Sequence, residues 1–174
     1  GAPDPMHVVL TPNATFALNT AISGILSEGG HAVTTSMEHN SVLRPLSALR
    51  GSVETTIVQA DRYGRVDPDD IRRALRPDTR LVAVNHASNV NGVLQDVAAI
   101  GKLLRDHPAM FLVDCAQTAG SVPLNLDGLG ADLLALAGHK GPMGPTGTGA
   151  LVLAAGFDKD LMPPLTFGGT GSHS

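Results

Sequence analysis

The chain has little of several residue types that mark particular protein classes. Its 174 residues include no tryptophan and a single cysteine. A single cysteine excludes an internal disulfide framework. A lone cysteine suits a reducing compartment. No apolar run approaches the roughly 20 residues of a membrane-spanning helix, and residues 1–5 lack the basic start and apolar core of a signal peptide. We therefore predict a soluble cytoplasmic protein with no membrane contact.

Positive charge and aromatic residues are also scarce. The net charge is -4, and aromatic residues make up 3% of the composition. The sequence therefore offers neither the basic stripe nor the stacking side chains that nucleic-acid binding requires. No pair of histidines is spaced with cysteines as in a zinc site, so we predict no bound metal.

Apolar periodicity predicts an alternation of strands and helices. The predicted strands cover residues 7–11, 32–36, 53–59, 81–85, 110–114, 133–136 and 150–154, and the predicted helices cover residues 15–26, 42–49, 71–75 and 97–105. Pro45 falls within the second helix, where it would fit best in an early turn. The alternation predicts an α/β fold with a mostly parallel central sheet and helices on both faces. No linker interrupts residues 1–174, which we predict to form one domain.

Four different polar side chains stand at or just beyond the ends of separate predicted strands. They are His39, Asn89, Asp114 and Lys140, the last opening a loop rich in Gly, Pro and Thr. Taken singly, each could be a strand-end residue capped by water. Open parallel sheets bind ligands at the carboxyl edge of their strands, so the coincidence indicates a site.

Two further segments bear on ligand binding. Ala14 and Thr15 fall at the predicted start of a helix, where free amides and the helix dipole favour an anion. The glycine-rich segment 141–149 suggests a nucleotide loop, but it lacks the terminal Gly-Lys-Ser/Thr of a P-loop and does not lead from a strand into a helix. Nucleotide binding is therefore a weaker hypothesis than a site at the strand ends.

Six motifs, in this order, resemble the class V aminotransferase family of pyridoxal-phosphate enzymes. They are Asn13-Ala14-Thr15, Glu38-His39-Asn40-Ser41, Ser88-Asn89-Val90-Asn91-Gly92, Asp114-Cys115-Ala116-Gln117, Gly138-His139-Lys140 and Gly168-Gly169-Thr170-Gly171-Ser172. Within the family, the chain looks most similar to the branch of cysteine desulfurases and selenocysteine lyases. The resemblance implies the large domain of a fold type I transferase, with pyridoxal 5'-phosphate as cofactor and a homodimeric assembly.

The resemblance also implies roles for individual residues. Lys140 would form the Schiff base and later move the substrate's α-proton, and Asp114 would pair with the pyridine nitrogen. Asn89 and Gln117 would hydrogen-bond the ring oxygen, and His39 would stack on the ring and exchange protons.

The phosphate contacts are implied in the same way. Ala14, Thr15 and His139 would cradle the phosphate. Gly169 and Thr170 resemble the segment that in relatives reaches the phosphate of the neighbouring subunit.

The chain also departs from the family. Relatives usually have serine where this chain has Ala137, and that hydroxyl commonly contacts the phosphate. They also begin earlier and continue beyond Ser174 into a smaller domain that brings a nucleophilic cysteine and an arginine for the substrate carboxylate. We therefore expect residues 1–174 to be the cofactor-binding large domain, without the N-terminal segment and the C-terminal small domain.

The reaction implied is removal of sulfur or selenium from cysteine or selenocysteine to give alanine, with a possible sulfur acceptor protein. Three other class V activities stay open, namely those of an aminotransferase, an epimerase and a kynureninase-like enzyme. A catalytically silent, truncated domain with the same fold is a further alternative.

Overall fold

A computed structural model describes residues 2–165 and contains seven strands, five α-helices and two short 3₁₀ helices (Pro5–His7 and Lys159–Leu161) in that range. The strands are β1 (Val8–Thr11), β2 (Gly30–Thr35), β3 (Val53–Val58), β4 (Thr79–Asn85), β5 (Met110–Asp114), β6 (Leu133–Ala137) and β7 (Gly149–Leu153). The helices are α1 (Ala14–Ile25), α2 (Asn40–Ala48), α3 (Pro68–Ala74), α4 (Val97–Leu104) and the short α5 (Leu126–Leu129).

The seven strands form one sheet in the order β1-β7-β6-β5-β4-β2-β3. Strands β3, β2, β4, β5 and β6 are parallel neighbours, whereas β7 pairs antiparallel with both β6 and β1. Six of the seven strands consequently point the same way, and their carboxyl ends meet at one edge of the sheet. This confirms the predicted mostly parallel sheet.

The sheet is covered on both faces, as predicted. Successive strand residues point to opposite faces, so Leu112 joins one apolar cluster while Phe111 and Val113 join the other. The first cluster includes Leu18 and Ile22 of α1 and Leu46 of α2. The second is built with residues of α3, α4 and α5, namely Ile71, Val97, Ile100, Leu104 and Leu126. Burial on both faces explains the apolar runs of the central strands.

Local capping chemistry sets the helix starts that matter for the site. Asn13 caps α1, since its side chain accepts a 2.8 Å hydrogen bond from the amide of Phe16. His39 caps α2 through the amide of Ser41. Both caps lie at the carboxyl edge of the sheet, directly after β1 and shortly after β2.

The predicted elements are present with shifts of one or two residues at most ends, and two details differ. Helix α5 has no counterpart in the prediction, because four residues are too few to show helical periodicity. Pro45 lies inside α2 rather than in its first turn. Within residues 2–165, no helix combines the length and the apolar character needed to cross a membrane.

Candidate functional site

A pocket of about 150 Å³ opens at the carboxyl edge of the parallel strands, beside the first turn of α1. Each part of its wall follows a different strand, because the connections after β1, β2, β4, β5 and β6 all begin at this edge. The lining residues are Asn13, Ala14, Thr15, Leu18, His39, Ser41, Asn85, Ala87, Asn89, Asp114, Ala116, Gln117, Ala137, His139 and Lys140.

Asp114 provides a buried carboxyl group at the base of the pocket. The residue is 6% exposed, and its Oδ1 accepts a 2.9 Å hydrogen bond from the amide of Ala116. Burial raises the pKa of the Asp114 carboxyl above its ordinary value, while the Ala116 amide and the charges of Lys140 and His39 oppose that rise. No described residue donates a hydrogen bond to Oδ2, so this oxygen is available to a donor in the pocket.

The first turn of α1 forms the second polar wall. The side chain of Asn13 accepts a hydrogen bond from the Phe16 amide. No residue in the described range accepts a hydrogen bond from the amides of Ala14 or Thr15. These two amides and the helix dipole favour an anion at this end of the pocket. The helix approaches β7 closely here, since a Cβ atom on Gly149 would lie 2.7 Å from the carbonyl carbon of Asn13.

Lys140 leaves β6 through a loop held by its own backbone hydrogen bonds. The amide of Gly138 donates to the carbonyl of Thr148 at 2.9 Å, and the amide of Gly144 donates to the carbonyl of Gly138 at 2.8 Å. Met143 takes a left-handed conformation with φ of 56°, so the loop reverses within a few residues of the lysine. The reversal leaves Lys140 exposed at the rim of the pocket.

His39 is another exposed residue of the pocket wall and is held by Ser41. The Ser41 hydroxyl lies 2.8 Å from His39 Nδ1, and the Ser41 amide donates to the same nitrogen at 3.1 Å. The hydroxyl is also 2.8 Å from Thr15 Oγ1, which links the rim to the anion end. An amide can only donate, so Nδ1 carries the lone pair and a neutral ring has its proton on Nε2.

The structure brings together the described residues that the sequence singled out. Ala14, Thr15, His39, Asn89, Asp114, Gln117, His139 and Lys140 all line this pocket. Gly169 and Thr170 lie outside the described residues. The wall also contains Asn85 and Ser41, which the sequence argument did not select as site residues. Asn85 ends β4 in register with Asp114 at the end of β5, so the rule that selected Asp114 could have found it.

Cys115 follows Asp114 but is not part of the pocket wall. Its side chain is fully buried in the apolar cluster on the far face of the sheet. Burial raises the pKa of the Cys115 thiol to about 12. The thiol therefore stays protonated near neutral pH, which makes it a poor nucleophile.

The residues of the pocket fit pyridoxal phosphate. A ring nitrogen that carries a proton would donate a hydrogen bond to the free Oδ2 of Asp114, and the free amides of Ala14 and Thr15 would donate hydrogen bonds to a phosphate group. The small side chains of Ala14, Ala116 and Ala137 form one apolar cluster at the pocket and leave room for a flat ring. Lys140 supplies a primary amine at the rim of the same cavity.

Comparison with known proteins identifies the family and agrees with the fold. The sequence model of the family described as "Aminotransferase class-V" matches residues 1–173. The cysteine desulfurase IscS of Dictyoglomus turgidum is 37% identical over 173 residues, which cover 97% of this chain and 43% of that protein. A probable cysteine desulfurase of Methanothermobacter thermautotrophicus is 39% identical, with 94% of this chain and 42% of that protein covered.

Solved structures give the same result. The apo cysteine desulfurase of Thermococcus onnurineus NA1 superposes with a TM-score of 0.86 at 39% identity, covering 94% of this chain and 42% of that chain. A structure described as SspA in complex with cysteine gives a TM-score of 0.88 at 31% identity, covering 95% of this chain and 49% of that chain. The 174 residues thus span less than half the length of these relatives.

Proposed function

The chain belongs to the class V aminotransferase family, and from that premise we propose that it is the cofactor-binding domain of a pyridoxal-phosphate-dependent cysteine desulfurase. The substrate would be cysteine or selenocysteine, and alanine would be a product. The observation that carries the proposal is the meeting of a lysine amine, a buried carboxylate and free helix amides around one pocket. The choice of desulfurase over other class V reactions is supported by what the relatives are named.

Each polar wall of the pocket would have a separate task. When bound, pyridoxal phosphate supplies an aldehyde and an electron-withdrawing ring that stabilises negative charge on the substrate's α-carbon. Lys140 Nζ would hold the cofactor covalently and then carry the proton of that α-carbon. Asp114 Oδ2 would accept a hydrogen bond from the protonated ring nitrogen and so fix the orientation of the ring. The Ala14 and Thr15 amides would bind the phosphate.

The exposed rim would complete the binding of cofactor and substrate. Asn89 and Gln117 would donate to the ring oxygen through their side-chain amides, and His139 would lie near the phosphate. His39 would face the ring and present its Nε2–H, because Nδ1 is occupied by Ser41. Gly169 and Thr170 would reach the phosphate of a neighbouring subunit in a homodimer.

Transfer of the sulfur atom needs a nucleophile that these residues do not provide. Cys115 is the single cysteine of the 174 residues, and its thiol is buried outside the pocket wall. The nucleophile would come from another part of a longer protein or from an acceptor protein. A cytoplasmic location fits such reactive sulfur chemistry, because the cytoplasm keeps thiols reduced.

Covalent labelling tests the proposal at its central residue. The purified chain is incubated with pyridoxal phosphate, and borohydride then converts any carbon–nitrogen double bond to a stable secondary amine. The chain contains three lysines, at positions 102, 140 and 159, so peptide mass mapping gives an unambiguous comparison. We expect the label at Lys140, with loss of that label in Lys140→Ala.

Matched variants sharpen the same experiment. Lys102→Ala and Lys159→Ala should leave the labelling of Lys140 unchanged, because neither lysine lines the pocket. A label distributed over all three lysines, or unaffected by Lys140→Ala, would refute a cofactor site in this chain. Alanine formation from cysteine, measured with an added thiol acceptor, separates a desulfurase from a domain that binds the cofactor and remains silent.

A further inference from the structure

Glu38 is a buried acid beside the pocket that the proposed chemistry does not use. It lies between β2 and His39, and it is 9% exposed. Its Oε1 accepts a 2.7 Å hydrogen bond from Thr35 Oγ1 and a 3.0 Å hydrogen bond from the amide of Asn85. No cation among the described residues forms an ion pair with it. An ionised carboxylate in this position would be an uncompensated buried charge.

Two buried oxygen atoms have no donor, on two residues that are joined by the hydrogen bond from the Asn85 amide to Glu38 Oε1. One is Glu38 Oε2, and the other is Asn85 Oδ1. The orientation of Asn85 is fixed, because its Nδ2 donates to the carbonyl of Met37 at 2.5 Å and that carbonyl can only accept. A buried oxygen that has lost its hydrogen bonds to water and gained no other donor destabilises the folded chain.

A single proton on Glu38, donated to Asn85, would remove both deficits. The acid form of a carboxyl group has one O–H donor, and Oε1 already accepts two hydrogen bonds, so the proton belongs on Oε2. Burial raises the pKa of Glu38 to about 8, and the negative charge of Asp114 acts in the same direction. The hydrogen bonds from Thr35 and Asn85 oppose the rise without cancelling it.

We propose that Glu38 is a positioning residue that acts as a neutral acid, with its Oε2–H donated to Asn85 Oδ1. The bond would tie the segment before His39 to the end of β4, where Asn85 lines the pocket beside Asp114. With Glu38 neutral, Asp114 would carry the negative charge of this pair of buried acids. The effect on the pocket depends on the proposed cofactor site, whereas the protonated state of Glu38 does not.

One other titratable group acts on Glu38, and it is Asp114. The contacts of Glu38 from β2 and β4 are Thr35 and Asn85, which carry no charge, and Asp114 of β5 is the charged group that acts on it. Burial also raises the pKa of Asp114, so the Asp114→Asn variant is needed to assign a change near pH 8 to Glu38.

Infrared spectroscopy tests the protonated state directly. At pH 7 the wild-type chain should show the carbonyl band of a protonated carboxylic acid, and the band should disappear above pH 9. Glu38→Gln should remove the band, since glutamine replaces the acid by a neutral group of similar shape that also offers a donor. Asp114→Asn should keep the band, because that variant removes the other buried acid of the pocket. A wild-type spectrum without the band, or a band lost only in Asp114→Asn, would overturn the proposal.

Cofactor affinity tests the positional role. Between pH 7 and pH 9, pyridoxal-phosphate binding to the wild type should weaken about tenfold more than binding to Glu38→Gln. The reason is that the wild type loses the hydrogen bond from Glu38 when the acid ionises, whereas glutamine keeps its donor. All other groups that ionise between pH 7 and pH 9 are present in both proteins, so their effects on affinity cancel in this comparison. Parallel curves would overturn the positional role. Failure of Lys140 labelling would instead refute the cofactor site and leave the infrared result to decide the state of Glu38.

Discussion

The hydroxyl of Ser41 lies 2.8 Å from Nδ1 of His39, and the amide of the same serine donates to that nitrogen. Thr15 Oγ1 is 2.8 Å from the same hydroxyl. The direction of this chain of hydrogen bonds follows from the amide, which makes Nδ1 an acceptor. The hydrogen of Ser41 therefore points to His39, and the hydrogen of Thr15 points to Ser41.

Removing the Ser41 hydroxyl should uncouple Thr15 from His39. We expect Ser41→Ala to lower the free energy of unfolding by about 0.5–1.5 kcal/mol, the net contribution of a typical hydrogen bond. Thr15→Val should lower it in the wild type and have a smaller effect in the Ser41→Ala background. Urea denaturation of the four proteins gives the coupling energy. Equal effects of Thr15→Val in both backgrounds would contradict the hydrogen-bond chain.

Asp114→Asn should weaken the binding of pyridoxal phosphate. The amide keeps the shape of the side chain but removes the negative charge that would pair with the ring nitrogen. We expect affinity to fall by about 10- to 100-fold, equivalent to roughly 1.5–3 kcal/mol for a hydrogen bond to a charged group. Absorbance titration with the cofactor measures the change. Asp132→Asn serves as the control, since Asp132 is a part-buried acid outside this pocket.

Gly149→Ala should displace the first turn of α1. A Cβ atom at this position would lie 2.7 Å from Asn13 C and 2.8 Å from Leu136 O, and both are backbone atoms that cannot rotate away. Overpacking of this kind costs about 1–3 kcal/mol, and it should also weaken anion binding by the Ala14 amide. Gly156→Ala is the matched control, because nothing lies within 4 Å of its added Cβ. Thermal unfolding that is equal in both variants would contradict the close packing.

Ala137→Ser should strengthen phosphate binding. Ala137 is 2% exposed and packs with Ala14 beside the free amides of α1. A hydroxyl added here would have a phosphate oxygen as its partner, and we expect an affinity gain of about tenfold, which is about 1.4 kcal/mol. Ala135→Ser adds a hydroxyl on the same strand within the apolar cluster, so it should destabilise the chain without improving binding. An affinity unchanged by Ala137→Ser would place the phosphate elsewhere.

Stability should fall as the pH rises from about 5 to 8, and Glu38 should account for a large part of the slope. Its pKa is raised from 4.5 to about 8 in the folded chain, so the folded state keeps a proton that the unfolded state releases. This contribution is complete below pH 4.5 and is lost on approach to pH 8. The slope from one such group is about 1.4 kcal/mol per pH unit. Glu38→Gln should have a flatter profile in urea denaturation across this range, and an unchanged slope would contradict the shifted pKa.

The sequence was sufficient to predict the type of fold and most of the pocket. Apolar periodicity located every strand, and polar residues just after strand ends identified His39, Asn89, Asp114 and Lys140. This worked because parallel strands place their carboxyl ends at one edge, so a local rule applied to each strand finds residues that meet in space. The place of Ala14 and Thr15 in the pocket wall followed from a predicted helix start in the same way.

The remaining features depend on pairing and contacts that no local pattern encodes. The position of β7 between β1 and β6 is set by packing across the whole sheet, not by the alternation that locates each strand. Ser41 looks like an ordinary residue near a helix start, and its importance appears only from its distances to Thr15 and His39. Glu38 could be recognised as part of a motif, but its unpaired oxygen requires the position of Asn85.

The pairing of β1 with β7 also fixes the order in which the domain can be assembled. These are the first and last described strands, and β7 separates β1 from the rest of the sheet. During synthesis, β1 has no strand to pair with until β7 has emerged, so the pairing that leads into the cap of α1 forms last. The edge that carries Asp114 can form earlier, from β2 to β6. A nascent chain arrested before β7 should accordingly have a central sheet in which β1 is unpaired.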